Sequence, residues 1–273
     1  MQRAFIHVIG ETMNRITKVS VVATAVVGLI ISFAGPVSAA DTATATTQDG
    51  NAVVISAEKA AKAKGCILKA KGNCAKKNLA GLDFSNLNLT GMNFSGANLS
   101  GVDFSESILN KVNFTGANLA NANLSDVTAI QANFTGAALR QANFDSGDFM
   151  KSVFNKAKGS RASLTNADFT QTSGIGADFQ YADLSGSIFE QVNYKNINFS
   201  YATGLDARFS DAQLVGAKFR NAKLTQPDFS GSNLNNADLT GSSITLEDLD
   251  TSDYCGALLR DGFYSDKDSC ENA

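Results

Sequence analysis

From Leu79 to Tyr264 every fifth residue is Leu, Phe, Ile or Tyr, except at Ala129, Gly159, Gly174 and Gly204, and the phase never slips. These 38 units carry 34 large apolar centres and claim 15 of the chain's 18 Phe residues, so nearly all the bulky apolar side chains share one structural role. A period of five matches neither the 3.6-residue helix nor the two-residue strand, and neither element would gather the centres on one face. A polygonal coil does. With each unit as one side of a square, twenty residues close a turn that climbs by the strand spacing of about 4.8 Å. The 38 units then make a rod of about nine turns, on the order of 45 Å long.

The other positions have characters of their own. Two before the centre the residue is small (Ala97, Ala117, Ala122, Ala132, Ala142, Ala167, Ala182, Ala217, Ala237) and is expected to face inward. The residue just before the centre is Asn or Asp in 22 of 38 units, and the one after is commonly Ser or Thr; both are expected to face water. Residues twenty apart should lie one above another. The columns agree: Phe94, Phe114, Phe134 and Phe154 form one, Phe149, Phe169, Phe189, Phe209 and Phe229 a second, and Phe179, Phe199 and Phe219 a third. Rings offset along an axis touch at that spacing.

Units such as Ala122-Asn123-Leu124-Ser125, Ala182-Asp183-Leu184-Ser185 and Ala237-Asp238-Leu239-Thr240 resemble the A(D/N)LXX consensus of the pentapeptide-repeat family over about two-thirds of the chain. The resemblance implies an all-β fold, a right-handed quadrilateral β-helix with short caps at both ends. It says little about chemistry.

Residues 1–40 read as a signal peptide. The segment Asn14-Arg15-Ile16-Thr17-Lys18 is basic, Val19 to Ala34 is apolar, and small residues precede Asp41, as cleavage after Ala39 or Ala40 requires. Met13 begins a leader of more usual length, which makes residues 1–12 a candidate misassigned start. Residues 41–57 read as a flexible linker, 58–78 as a basic N-terminal cap with seven Lys, 79–250 as the repeat coil and 251–273 as a C-terminal cap. No stable membrane insertion is expected once the leader is removed. Solenoid ends expose strand edges that need covers, and the four cysteines stand at those ends. In an exported chain locality favours Cys66 with Cys74 and Cys255 with Cys270. The tail from Cys255 through Arg260-Asp261-Gly262 to Cys270 is similar to the C-terminal cap of exported family members, with Arg260 where that pattern has Pro. The two ends also allow two copies to pair end to end.

The only histidine, His7, falls in the leader, so the mature chain is expected to lack histidine-dependent nucleophilic catalysis and histidine metal ligands. No phosphate loop or paired-cysteine metal motif appears, and no cofactor is expected. The Asp residues occupy the outward repeat position and read as solvated rungs, with Asp168 above Asp148 and Asp248 above Asp228 giving at most a weak cation site. Two basic clusters, Lys151, Lys156, Lys158 and Arg161, and Arg208, Lys218, Arg220 and Lys223, are candidate contact patches. Ala129, Gly174 and Gly204 are followed by Ile130, Ile175 and Leu205, the pattern of a bulge that moves the apolar side chain one place. Gly159 lacks that rescue and suggests a small loop, and Pro227 suggests a kink where a ladder N–H is lost.

The expected function is that of a non-enzymatic exported scaffold that binds a protein partner along a flat face, in the periplasm, outside the cell or in the thylakoid lumen. The alternative is taken from cytoplasmic family members that imitate duplex DNA and bind topoisomerases. Mimicry needs a strongly negative rod, whereas residues 77–265 carry 13 basic and 19 acidic side chains, and contact with nucleic acid itself is not expected. Burying each Phe contributes roughly 1.5–3 kcal/mol, so Phe134→Asp is expected to unfold the middle of the rod. Thermal melting unchanged from wild type would refute the column assignment.

Overall fold

The computed structural model describes residues 61–62, 64–69 and 71–265, together with the backbone of three short strands, β1 (Ile30–Ile31), β2 (Ala43–Thr46) and β3 (Ala52–Ile55). The rest of the expected leader, and Cys270, lie outside the described residues. Ala43↔Ile55 through Thr46↔Ala52 pair antiparallel, and β1 pairs with the far edge of β2. The stretch read as a linker thus holds a hairpin, which the β-branched Thr44, Thr46, Val53, Val54 and Ile55 favour.

From Asn73 onward the backbone pairs with itself at intervals of twenty. Asn73↔Asn93↔Asn113↔Asn133↔Val153↔Ser173 continues without a break to Asn233↔Asp253, all parallel. Three further ladders, through Asn98, Asp103 and Ile108, complete four walls. We number the walls by their centres: the first carries Phe94 and Phe114, the second Leu99 and Leu119, the third Phe104 and Leu124, and the fourth Leu109 and Phe149. Coiling begins at Asn73, inside the stretch expected to be a cap, and Cys74 occupies a buried centre position. The Cys66–Cys74 disulfide ties the lead-in segment to this first unit.

The twenty-residue turn closes because every position ending in 1 or 6, from Lys71 to Gly241, has a left-handed backbone, whether Gly (Gly96, φ 63°) or not (Asn121, φ 57°; Lys156, φ 57°). Each such residue is the third of a tight turn, where positive φ is required. In most units the residue after it, two before the next centre, donates its N–H to the preceding centre, as Ala117 does to Phe114 at 2.9 Å. Small side chains suit this inward position because large centres fill the tube. Phe114, Phe134 and Phe154 stack with centroids 4.9 and 4.6 Å apart, and Phe169, Phe189 and Phe209 with centroids 5.2 and 4.9 Å apart. Rings on different walls meet edge to face, as Phe144 and Phe149 do.

The exceptional centres do not bulge. The ladder holds its phase through Thr128, Ser173 and Thr203, and Ile175 and Leu205 stay on the outside, Leu205 half exposed. At two of these sites the missing bulk comes from the next coil. A Cβ on Gly159 would lie 2.2 Å from the Phe179 ring, and one on Gly174 would lie 2.7 Å from that of Tyr194. Gly159 is therefore a seat for Phe179 and not a loop. The Tyr194 hydroxyl, fully buried, meets that of Thr172 at 2.8 Å, and burial pushes its pKa above the ordinary phenol range against the opposing effect of this bond.

Pro227 is buried in the inward position, where the N–H would close a turn and not a ladder, so the rod runs on through Arg208↔Asp228 without the expected kink. One coil below, the turn from Gly204 to Ala207 lacks the same bond. There the wall straightens into β4 (Thr203–Leu205), parallel to β5 (Lys223–Thr225). Near the C-terminus the chain leaves the coil at residues 246–250 and rejoins it at Asp253 and Leu258; Tyr264 then folds back antiparallel on Leu258. Asp248 caps the departing turn by accepting from the Thr245 N–H at 2.7 Å and does not stand above Asp228.

Gly159→Ala is expected to destabilise the protein by about 1–3 kcal/mol through overpacking against Phe179. Phe179→Leu in the same chain should recover part of that loss, and if denaturant melts show the two changes to be additive, the two residues do not share a seat.

Candidate binding walls

The Asn and Asp residues before each centre do more than face water. At most of them the Oδ1 atom accepts the N–H of the residue after the centre, as in Asn93 from Ser95 at 3.0 Å, Asp103 from Ser105 at 2.9 Å and Asp168 from Thr170 at 2.8 Å. That N–H takes no part in the ladder, and the short polar side chain supplies its acceptor. Where the residue before the centre cannot accept in this way, a neighbour one coil below serves at three places. Asn110 accepts from Ile130, Asp145 from Thr165 and Asn155 from Ile175. Asn columns also bond along the rod, Asn118 to Asn98 and Asn98 to Asn78.

Because one unit spans one wall, residues close in sequence are parted in space. Of the first basic cluster, Lys151 sits on the corner between the fourth and first walls and Lys156 on the corner between the first and second. Lys158 sits on the second wall and Arg161 on its far corner. The structure brings Lys156 and Lys158 together with Arg140 and Ser160 around a shallow groove of about 490 Å³ floored by Ala138, Ala157 and Gly176. Arg161 lies instead over the Tyr181 ring, 5.3 Å from its centre, and Tyr181 stacks on Tyr201 at 4.8 Å. The second cluster also splits: Arg208 pairs with Glu190 on the fourth wall, Lys218 and Arg220 occupy the second, and Lys223 the third.

Charge is sorted by wall. The outward residues of the first wall carry only Lys195 and Asp253. The third wall and its corner with the fourth carry Asp83, Asp103, Glu106, Asp126, Asp145, Asp183 and Asp206 against the single Lys223. The second wall carries Arg140, Lys158, Lys218, Arg220 and Arg260 against Asp178 and Asp238. Counting along the chain hid this segregation; reading the sequence in columns of twenty exposes it, and the same columns place Tyr181 and Tyr201 on one corner.

Asp148 and Asp168 are adjacent rungs, each turned to its own strand's N–H. Among the described residues no group of three or more His, Cys, Asp or Glu side chains is placed to hold a metal ion, and no helix is long and apolar enough to cross a membrane. Cys255 is disulfide-bonded.

Comparison with known proteins agrees with this geometry. The pentapeptide repeat region family matches residues 61–134, and the pentapeptide repeats family, in eight copies, matches residues 117–155, 160–191 and 195–245. The chain belongs to the pentapeptide-repeat family. Among solved structures it is similar to HetL, a pentapeptide repeat protein involved in heterocyst differentiation regulation from the cyanobacterium Nostoc, with 24% identity over 69% of this chain and 91% of that one and a TM-score of 0.51. QnrB1, a plasmid-mediated fluoroquinolone resistance protein, matches at 19% identity over 66% of this chain and 94% of that one, with a TM-score of 0.29. A pentapeptide repeat protein from the thylakoid lumen of Arabidopsis thaliana matches at 19% identity over 71% and 88%, with a TM-score of 0.18. No curated protein matched the sequence. The likeness to HetL shows the fold, a right-handed quadrilateral β-helix.

Burial raises the Asp238 pKa, but the Thr240 hydroxyl and N–H and the Arg220 guanidinium outweigh it and hold the carboxyl below its ordinary value. Asp228 is held low in the same way by Ser230, Ser210 and Arg208. A lowered folded pKa stabilises the fold above the unfolded value of about 3.9, and that stability is lost as the pH falls through the folded values. The melting temperature is expected to drop in acid, and Asp238→Asn should reduce the drop; identical acid slopes for the two proteins would remove Asp238 from the account.

Proposed function

We propose that the mature protein is a non-enzymatic exported scaffold, a rigid rod of about nine turns whose flat walls present different chemistry to protein partners. The observation that carries this reading is the sorting of charge onto separate walls of a tube already filled by its own Phe and Leu side chains. A packed interior of this kind supports recognition on the outside. The leader-like segment and the Cys66–Cys74 disulfide support an oxidising compartment, whether periplasm, cell exterior or thylakoid lumen. Exposed Leu246, Phe263 and Tyr264 at the C-terminal end support end-to-end pairing of two copies.

The acidic third wall and its corner favour a second reading, a topoisomerase-binding rod that imitates duplex DNA. The basic second wall and the disulfide weigh against it. Cell fractionation, crosslinking in the native compartment and a gyrase supercoiling assay decide between the two. The scaffold reading expects the protein in the exported fraction, a crosslinked partner lost on charge reversal of a single wall, and no inhibition of supercoiling. A cytoplasmic protein that inhibits supercoiling would overturn it.

A further inference from the structure

On the second wall the amide column of Asn78, Asn98 and Asn118 gives way to Ala138 and then Lys158, neither of which can accept a hydrogen bond from its own strand. The N–H groups they leave unmet are those of Arg140 and Ser160, and neither donates to any group among the described residues. At equivalent places on this wall the N–H is taken by an Asn or Asp oxygen, from Ser200 by Asn198 at 3.1 Å and from Gln180 by Asp178 at 3.2 Å. The acceptor there comes from the side chain before the centre, so the unmet donors open over the positions of Ala138 and Lys158. Those positions line the 490 Å³ groove.

Around these two donors stand three cations without an ion-pair partner among the described residues: Arg140, Lys156 and Lys158. Lys156 rises on its corner between Gly136 and Gly176, where even a Cβ would meet nothing within 4 Å, so its chain is free to swing over the wall. Asp178 is the one acid of the lining. Unmet N–H groups after a centre also occur at Arg220 higher on this wall, at Glu190 and Ser210 on the fourth wall and at Lys195 and Val215 on the first. Among the described residues, those of Arg140 and Ser160 face a groove rimmed by three cations without an ion-pair partner.

We propose that this groove binds a carboxylate of an acidic, extended segment on a protein partner. The partner's carboxylate oxygens take the seats that Asn and Asp oxygens fill at most other levels of the wall, and Lys156, Lys158 and Arg140 neutralise its charge through charge-assisted hydrogen bonds. The choice of a carboxylate rests on that equivalence, since the same backbone N–H already donates to a carboxylate at Asp168 and Asp183 elsewhere in the rod. Nucleic acid fits poorly: binding duplex DNA typically neutralises on the order of six to ten phosphates, the groove offers three cations, and the adjoining third wall is acidic. The proposal rests on reading the rod as a scaffold and names the chemistry of one of its partners.

The test is fluorescence anisotropy of a labelled hexaglutamate peptide with the disulfide-intact protein, with inorganic phosphate and a DNA duplex as parallel probes. Wild type is expected to bind the peptide in preference to both. Lys158→Asn supplies an internal oxygen to the Ser160 N–H and removes a cation, so it should weaken binding about tenfold while leaving the melting temperature unchanged or higher. Lys156→Gln, which alters only an exposed side chain, should also weaken binding, and Lys223→Gln on the third wall should not. Absence of peptide binding, binding indifferent to Lys158→Asn and Lys156→Gln, or tighter binding of phosphate or DNA would each overturn the proposal. If the peptide fails while a native partner still crosslinks to another wall, the groove falls and the scaffold reading stands.

Discussion

Everything in this structure depends on backbone hydrogen bonds made in register at intervals of twenty. An antiparallel sheet tolerates different neighbours on each strand, but a parallel ladder of this kind puts each residue directly against its counterpart one coil away. Every position therefore meets its own kind, and whatever suits one level of a column has to suit the next. Phe154 can stack on Phe134 because both descend from the same place in the unit. The same constraint explains how the tube tolerates Gly at a centre. Phe179 leans into the space above Gly159, and Tyr194 into that above Gly174, so volume is conserved over two levels where it is not conserved at one. Aromatic rings can do this because their contacts accept either stacked or edge-on geometry.

A second requirement concerns the donors that the ladder leaves over. In each unit one N–H after the centre points outward, and the Asn or Asp before the centre is the cheapest local acceptor. The consensus of the repeat thus follows from hydrogen-bond bookkeeping as well as from solubility. Departures from it are informative for that reason. Asn110, Asp145 and Asn155 stand where Ser or Thr is usual, and each serves the N–H of Ile130, Thr165 or Ile175 one coil above, at places where the local acceptor is missing. Val153, Ser173 and Lys158 look alike as interruptions of the Asn pattern, yet they differ in whether anything compensates for them.

The coil, its twenty-residue turn and the Phe columns were legible in the sequence because they follow from a single period and from side-chain volume. Local deviations were not. Ile175 and Leu205 imitate a displaced core residue when read along the chain, whereas the ladder on either side holds their strands in phase and keeps both side chains outside. Pro227 looked like a broken rung because the role that an N–H would play at its place in the unit was unknown; there an N–H closes a turn and not a ladder. The left-handed corners were available as a signal, since Gly and Asn recur at positions ending in 1 and 6, and recognising them would have shown which residues lie on edges of the rod. The hairpin of β2 and β3 carries no repeat at all and has to be judged on β-propensity alone.

The candidate contact residues illustrate the same division. Clustering in sequence is a guide to proximity in helices and hairpins, where neighbours share a surface, but here five residues carry the chain around a corner. Lys151 and Arg161 are ten positions apart and stand on corners that do not share a wall, whereas Arg140 and Lys158, eighteen apart, rim one groove. A charge cluster in a four-walled coil has meaning only after the sequence is folded into columns, and in columns the modest net charge of the chain resolves into an acidic side and a basic one. Segregation of that kind orients an incoming charged partner before contact is made, since potentials along a rod act over about a Debye length of 8–10 Å at ordinary ionic strength, comparable to the width of a wall. A partner with an acidic segment would be drawn to the second wall and turned away from the third, so on the proposed scaffold reading the separate walls discriminate between faces of a bound partner.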